Sequence, residues 1–211
     1  MGNNSRRITL FHAPQTRSSG VLALVYELQA DHELHVLNVR AGEQRQAPYL
    51  AINPMGKVPA IVHDGHVVTE CGAICAYLAD AVPEAQLAPT ADERADYYRW
   101  LFYAAGPLEA AITNRSLGVV PTETQQRMVG YGSFEAAIAG LEHAVAAHTY
   151  IAGERFTAAD VYVGAQVIWG LQFGTMPTLA AFEAYAARLT ERAAYRRAAA
   201  LDDDAMAKMA S

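Results

Sequence analysis

With 211 residues, 52% of them apolar, the chain is long enough for one or two domains around a sizeable core. A formal net charge of -6 argues against a general nucleic-acid role, which would want a basic face, and no apolar run nears the roughly 18 residues that a membrane helix needs. Its two cysteines, Cys71 and Cys75, form no Cys-x-x-Cys pair and imply no disulfide framework, which fits a reducing cytoplasm.

Met1–Arg7 is polar and reads as a frayed lead-in without an apolar signal core. Ile8–Phe11 has strand composition, Pro14 breaks it, and apolar periodicity resumes at Val21, Leu22, Leu24, Val25 and Leu28, so strand, loop and helix follow in order. Within the loop, Thr16 and Ser18 are N-cap candidates. A second strand is expected over Leu34–Val39 and a short helix over Ala47–Ile52.

The most informative stretch is Asn53–Ile74, NPMGKVPAIVHDGHVVTECGAI. Gly56 allows a tight turn before Lys57. Asp64-Gly65 between β-branched runs predicts a hairpin pairing Val58–Val62 with His66–Val68. Proline at the strand start has no N–H to donate, and Val58-Pro59 is a candidate cis bond that leaves Val58's backbone open to an extended peptide ligand. Lys57 is then available to a carboxylate, and Thr69-Glu70-Cys71 opens a helix whose free N–H groups favour another.

Further on, Val82-Pro83-Glu84 ends that helix, and a Pro/Ala-rich segment follows to about Pro89. Beyond it no convincing strand appears. One long helix is expected over Ala91–Leu117, bent near Gly106-Pro107, and a second over Thr122–His148. Thr157-Ala158-Ala159-Asp160 reads as a capping box opening a buried helix over Val161–Leu171. Ala180–Leu189 and Arg192–Leu201 supply the last helices, with Asp202-Asp203-Asp204 as a solvated acidic end. No dinucleotide, phosphate-loop or metalloprotease motif occurs, and the seven histidines show no metal-ligand spacing, so no metal is expected.

NPMGKVPA, the hairpin and TECGAI together resemble the glutathione-binding half of cytosolic glutathione S-transferases, of a bacterial type that is hydroxyl- or backbone-activated rather than cysteine-activated. The resemblance implies an α+β fold: a thioredoxin-like βαβ-α-ββα domain (residues 1–82), a linker (83–90) and an all-helical C-terminal domain (91–211), whose core the Thr-Ala-Ala-Asp start also resembles. The family implies a homodimer and conjugation of the glutathione thiolate to a small, hydrophobic electrophile. Lys57 then pairs with the glycyl carboxylate, Val58 and Pro59 present backbone to the cysteinyl unit, and Glu70 with Cys71 holds the γ-glutamyl end. Cys71 stands where the family usually has Ser.

The sulfur's partner is sought among Thr16, Arg17 and Ser18. Arg17 occupies the position of the cysteine in cysteine-type relatives. Counting back from the helix periodicity favours Ser18 over Thr16. His12, Tyr103, Trp169 and Phe173 are the candidates for the second-substrate pocket, His12 reading equally as a polar strand-end residue. A glutathione-dependent disulfide reductase or thiol transferase, and a non-catalytic glutathione-binding protein, are the rival readings.

Overall fold

The computed structural model describes residues 7–210, so the lead-in over Met1–Arg7 lies, Arg7 excepted, outside the described residues. The chain divides into two compact units, one made of the residues up to Leu87 with those from Glu191 onward, the other of Ala88–Thr190.

The first unit is built on four strands, β1 (Ile8–His12), β2 (His32–Val36), β3 (Ala60–His63) and β4 (His66–Thr69), in the order β2-β1-β3-β4. β1 runs parallel to β2 and antiparallel to β3, which pairs antiparallel with β4. The parallel pair needs a crossover, supplied by helix α1 (Ser18–Glu27). Asp64 and Gly65 both have positive φ, 50° and 77°, as a two-residue hairpin turn requires. β2 starts and stops earlier than the expected Leu34–Val39, because Asn38 Oδ1 accepts from the backbone N–H groups of Arg40 and Ala41, each at 3.1 Å, and turns the chain. Helix α2 (Ala47–Leu50) leads to the Asn53 turn, and α3 (Cys71–Ala81) stops before Pro83, which has no N–H to continue it. Ile8, Leu10, Leu22, Leu24, Ile61, Ile74 and Leu78, all fully buried, form the core.

The described residues from Glu191 onward, expected within the helical domain, cluster instead with this first unit. The last helix of the chain, Ala193–Ala210, packs along α1. Just ahead of it, Arg192 donates two hydrogen bonds to the Glu27 carboxylate, at 2.6 and 2.8 Å, and the Arg197 guanidinium lies 4.3 Å above the Tyr26 ring. Nor is Asp202 part of a solvated end: it is 6% exposed within that helix.

The second unit is all-helical among its described elements: α4 (Arg94–Tyr103), a π turn over Ala104–Leu108, α5 (Glu109–Ser116), α6 (Phe134–Ala147), α7 (Ala158–Gln172) and α8 (Ala180–Thr190); the last helix, in the first unit, is α9. The π turn contains Pro107, whose missing N–H and ring force the helical ladder to shift register there. The helix expected over Thr122–His148 begins only at Phe134. Gly132 is left-handed (φ 66°), and Ser133 Oγ accepts from Ala136 N–H at 3.1 Å, so apolar periodicity through Met128 and Tyr131 is overridden by a stop and a cap. α7 opens with the expected capping box. Thr157 N–H and Oγ1–H donate to Asp160 Oδ2 at 2.8 and 3.0 Å, while Asp160 Oδ1 accepts from Ile151 N–H (2.7 Å) and Tyr185 O–H (2.8 Å). Among the described residues, no helix is long and apolar enough to cross a membrane.

Candidate functional site

Strand register brings three segments to one end of the sheet. Phe11 lies opposite Ala60, and Ala60 opposite Thr69, so the loop after β1, the turn before β3 and the start of α3 all emerge side by side.

The turn is braced from behind. Asn53, buried, accepts from Met55 N–H at 3.1 Å and donates from Nδ2 to the Lys57 carbonyl at 2.8 Å; Tyr49 O–H donates to that same carbonyl at 2.5 Å. Burial pushes the Tyr49 phenol up to about 12 against the opposing hydrogen bond from Asn53, so it stays a donor. Gly56 has φ 59°, and a Cβ there would lie 2.8 Å from the Gln44 carbonyl oxygen. Gly56→Ala is therefore expected to lower stability by about 1–3 kcal/mol in chemical denaturation, through strain and displacement of this turn. The Val58–Pro59 bond is cis. Among the described residues, no hydrogen bond engages the Val58 backbone and no carboxylate pairs with the exposed Lys57. An open strand-like edge thus stands next to an unmatched cation.

Beside it, Glu70 caps the start of α3 with φ 68°, ψ 120°, a conformation that residues other than glycine seldom hold, and its side chain is exposed. Cys71, half-buried, places Sγ 3.7 Å from the Arg17 carbonyl, joining α3 to the loop after β1. Cys75, one turn on, is fully enclosed, and burial followed by the neighbouring Cys71 pushes its thiol well up.

In that loop the hydroxyls are not equivalent. Ser18 is fully buried. Its Oγ accepts from Ala13 N–H (3.0 Å) and lies 2.9 Å from the Ala13 carbonyl, 2.8 Å from His12 Nδ1 and 2.7 Å from Thr16 Oγ1. Ser18 Oγ is thus engaged on every side within the loop, while Thr16 Oγ1 donates to the Ala13 carbonyl at 2.7 Å and accepts from Ser18 N–H at 3.2 Å. Thr16 is part-exposed and Arg17 exposed. His12 likewise leaves the list of pocket residues, since its ring is fully buried, with Nε2 2.8 Å from Asp202 Oδ1. Asp202 Oδ2 also accepts from Gln15 N–H at 3.1 Å and, in a short contact, from Ser19 O–H. Burial alone would raise the Asp202 carboxyl, but the bonds from His12, Ser19 and Gln15 outweigh it and hold it below the usual range.

Residues 6–80 match the profile described as glutathione S-transferase, N-terminal domain. GstA of Escherichia coli O157:H7 is 34% identical over 124 residues, 57% of this chain and 61% of that protein, so the match spans less than two thirds of GstA. Glutathione S-transferase GST-4.5 of Xanthomonas campestris is 30% identical over 161 residues, 72% of this chain and 78% of its own. The chain belongs to the glutathione S-transferase family. A glutathione transferase homologue from sulfitobacter, solved with bound glutathione, has a TM-score of 0.75 at 27% identity, covering 95% of this chain and 99% of that one.

The three other residues expected around a second substrate lie in the helical unit. Tyr103 donates to the Ala137 carbonyl at 2.6 Å and so ties α4 to α6. Trp169 and Phe173 pair at 4.9 Å between ring centroids at the C-terminal end of α7, with Phe173 53% exposed. Two participants escaped the sequence reading. Asn53 carried a legible signal, an Asx-type residue two before Met55. Asp202 carried none, because nothing local distinguishes it from Asp203 and Asp204.

Proposed function

We propose that this glutathione S-transferase binds glutathione along the Val58 edge and directs its thiolate at a small electrophile. The observation that carries the reading is the unpaired Val58 backbone flanked by the unmatched Lys57 and by the N-terminus of α3, in a chain of this family. An extended γ-glutamyl-cysteinyl-glycine adds there as a short strand. Lys57 takes the glycyl carboxylate, and Glu70 with the Cys71 backbone N–H takes the γ-glutamyl end, favoured by the helix dipole. Thr16, the part-exposed hydroxyl of the loop, is assigned to the sulfur in place of Ser18. Moving a thiol pKa from about 8.5 to about 6.5 needs roughly 2.7 kcal/mol. A hydrogen bond to the charged form contributes about 1.5–3 kcal/mol and a helix N-terminus about 0.3–1 kcal/mol, so hydroxyl and helix together suffice. The exposed Tyr98 and Phe102 on α4 support a homodimer, which light scattering would read as twice the chain mass.

One observation favours the disulfide reductase as second reading: the half-buried Cys71 thiol touches the backbone of Arg17, the position that carries the cysteine in cysteine-type relatives. Turnover of a chloronitrobenzene against hydroxyethyl disulfide separates the two. Conjugation that survives Cys71→Ser supports the transferase, whereas disulfide turnover lost in Cys71→Ser supports the reductase.

A further inference from the structure

Asp202, His12, Ser18 and Thr16 form a continuous file from the buried face of α9 to the part-exposed loop. The carboxylate is 2.8 Å from His12 Nε2, His12 Nδ1 is 2.8 Å from Ser18 Oγ, and Ser18 Oγ is 2.7 Å from Thr16 Oγ1. Among the described residues, His12 Nε2 and Asp202 Oδ1 have no other partner than each other. Hydroxyls carry one proton each, and the Ala13 carbonyl, 2.7 Å from Thr16 Oγ1 and 2.9 Å from Ser18 Oγ, is a second acceptor for both, so the imidazole sets directly only its own bond to Ser18. With the proton of neutral His12 on Nε2, facing Asp202, Nδ1 accepts from Ser18 O–H. Ser18 Oγ then accepts from Ala13 N–H, the Thr16 proton is shared between Ser18 Oγ and the Ala13 carbonyl, and Thr16 offers a lone pair. Once His12 is an imidazolium, Nδ1–H donates to Ser18 Oγ and Ser18 O–H to Thr16 Oγ1, which leaves the Thr16 proton to the Ala13 carbonyl or to a sulfur beside it. The first arrangement receives a thiol S–H and the second donates to a thiolate.

We infer that this file is a proton relay: the thiol proton of bound glutathione passes to Thr16, the Thr16 proton to Ser18 and the Ser18 proton to His12 Nδ1, so that His12 is the terminal acceptor and Asp202 holds the imidazolium. The inference rests on the glutathione reading above. It balances, since each oxygen loses one proton as it gains another, sulfur is left with the electron pair of its S–H bond, and the file ends with one imidazolium facing one carboxylate. The strand that carries His12 packs against β2, β3 and α1, and Asp202 on α9 meets the His12 ring. Among the described residues these bring one charged group into contact with it, Asp202, whose low carboxyl pKa keeps it ionised at neutral pH. Ser18 and Asp202 are then positioning residues, and their burial keeps water from short-circuiting the file.

The test counts protons. Thiolate formed on binding is read by its ultraviolet absorbance, and protons released to the medium by calorimetry in buffers of different ionisation enthalpy. The wild-type protein is expected to form thiolate near neutral pH with little matching proton release. In Asp202→Asn the thiolate fraction should fall about ten-fold, with each remaining thiolate matched by a released proton. A wild-type count of one proton released per thiolate overturns the relay and leaves the transferase reading standing, and decides the matter even if the variant does not fold. Unchanged thiolate and proton counts in Asp202→Asn also overturn it. Absence of any thiolate on the wild-type protein overturns the transferase reading itself.

Discussion

Asp160→Ala is expected to destabilise the helical unit by about 3–5 kcal/mol. The carboxylate is fully buried and receives Thr157 N–H and Oγ1–H, Ile151 N–H and Tyr185 O–H at 2.7–3.0 Å, so truncation removes the acceptor of four buried donors from three segments at once. The bonds have separate jobs: the Thr157 pair caps α7, one anchors the Ile151 turn, and one ties α8 to α7. Urea denaturation followed by circular dichroism measures the loss, and a decrease under about 1 kcal/mol would show that the network is not what holds these elements. Burial raises the Asp160 carboxyl above its ordinary value despite the hydrogen bonds from Ile151, Thr157 and Tyr185. A group raised in the folded state contributes stability that is fully present below its unfolded value and is lost as pH climbs through the folded one. Asp160 therefore opposes acid unfolding rather than promoting it, and it is retained for its geometry.

Thr16→Ala is expected to lower kcat/KM for conjugation roughly ten- to hundred-fold, with the thiol of bound glutathione ionising about one to two pH units higher. Thr16 is part-exposed in the loop, and on the proposed reading what is lost is a hydrogen bond to a charged sulfur, together with the bond to the Ala13 carbonyl at 2.7 Å. Thr16 Oγ1 also accepts from Ser18 N–H at 3.2 Å at the start of α1, so a stability loss of about 1 kcal/mol accompanies it. Thr16→Ser should restore both. Unchanged turnover and thiol ionisation in Thr16→Ala would move the sulfur to Arg17 or the backbone.

Local chemistry explains why some of this was legible and some not. Asp64-Gly65 announces a hairpin because its two positive-φ residues are a property of the dipeptide itself. Thr157 and Asp160 announce a helix start because both bonding partners lie within one turn. Ser18 and Thr16, by contrast, are separated in one dimension only by a count back from the helix periodicity, which favours Ser18. What separates them in the fold is a histidine at the end of β1 and a carboxylate 187 residues beyond Gln15, neither of which periodicity can connect to the loop. The same blindness made the acidic run at Asp202 look solvated and let the α6 periodicity run on through Gly132. Asparagine 53 shows the intermediate case, with its turn visible and its bond to the Lys57 carbonyl hidden.

The central claim is that glutathione lies along Val58 with its sulfur at Thr16, and a crystal of this protein soaked in millimolar glutathione tests it most directly. The account predicts the cysteinyl backbone paired with Val58, the glycyl carboxylate at Lys57, and the sulfur within hydrogen-bond reach of Thr16 Oγ1. A site left empty at that concentration, or a sulfur lodged against Cys71 Sγ with Thr16 out of reach, would contradict it.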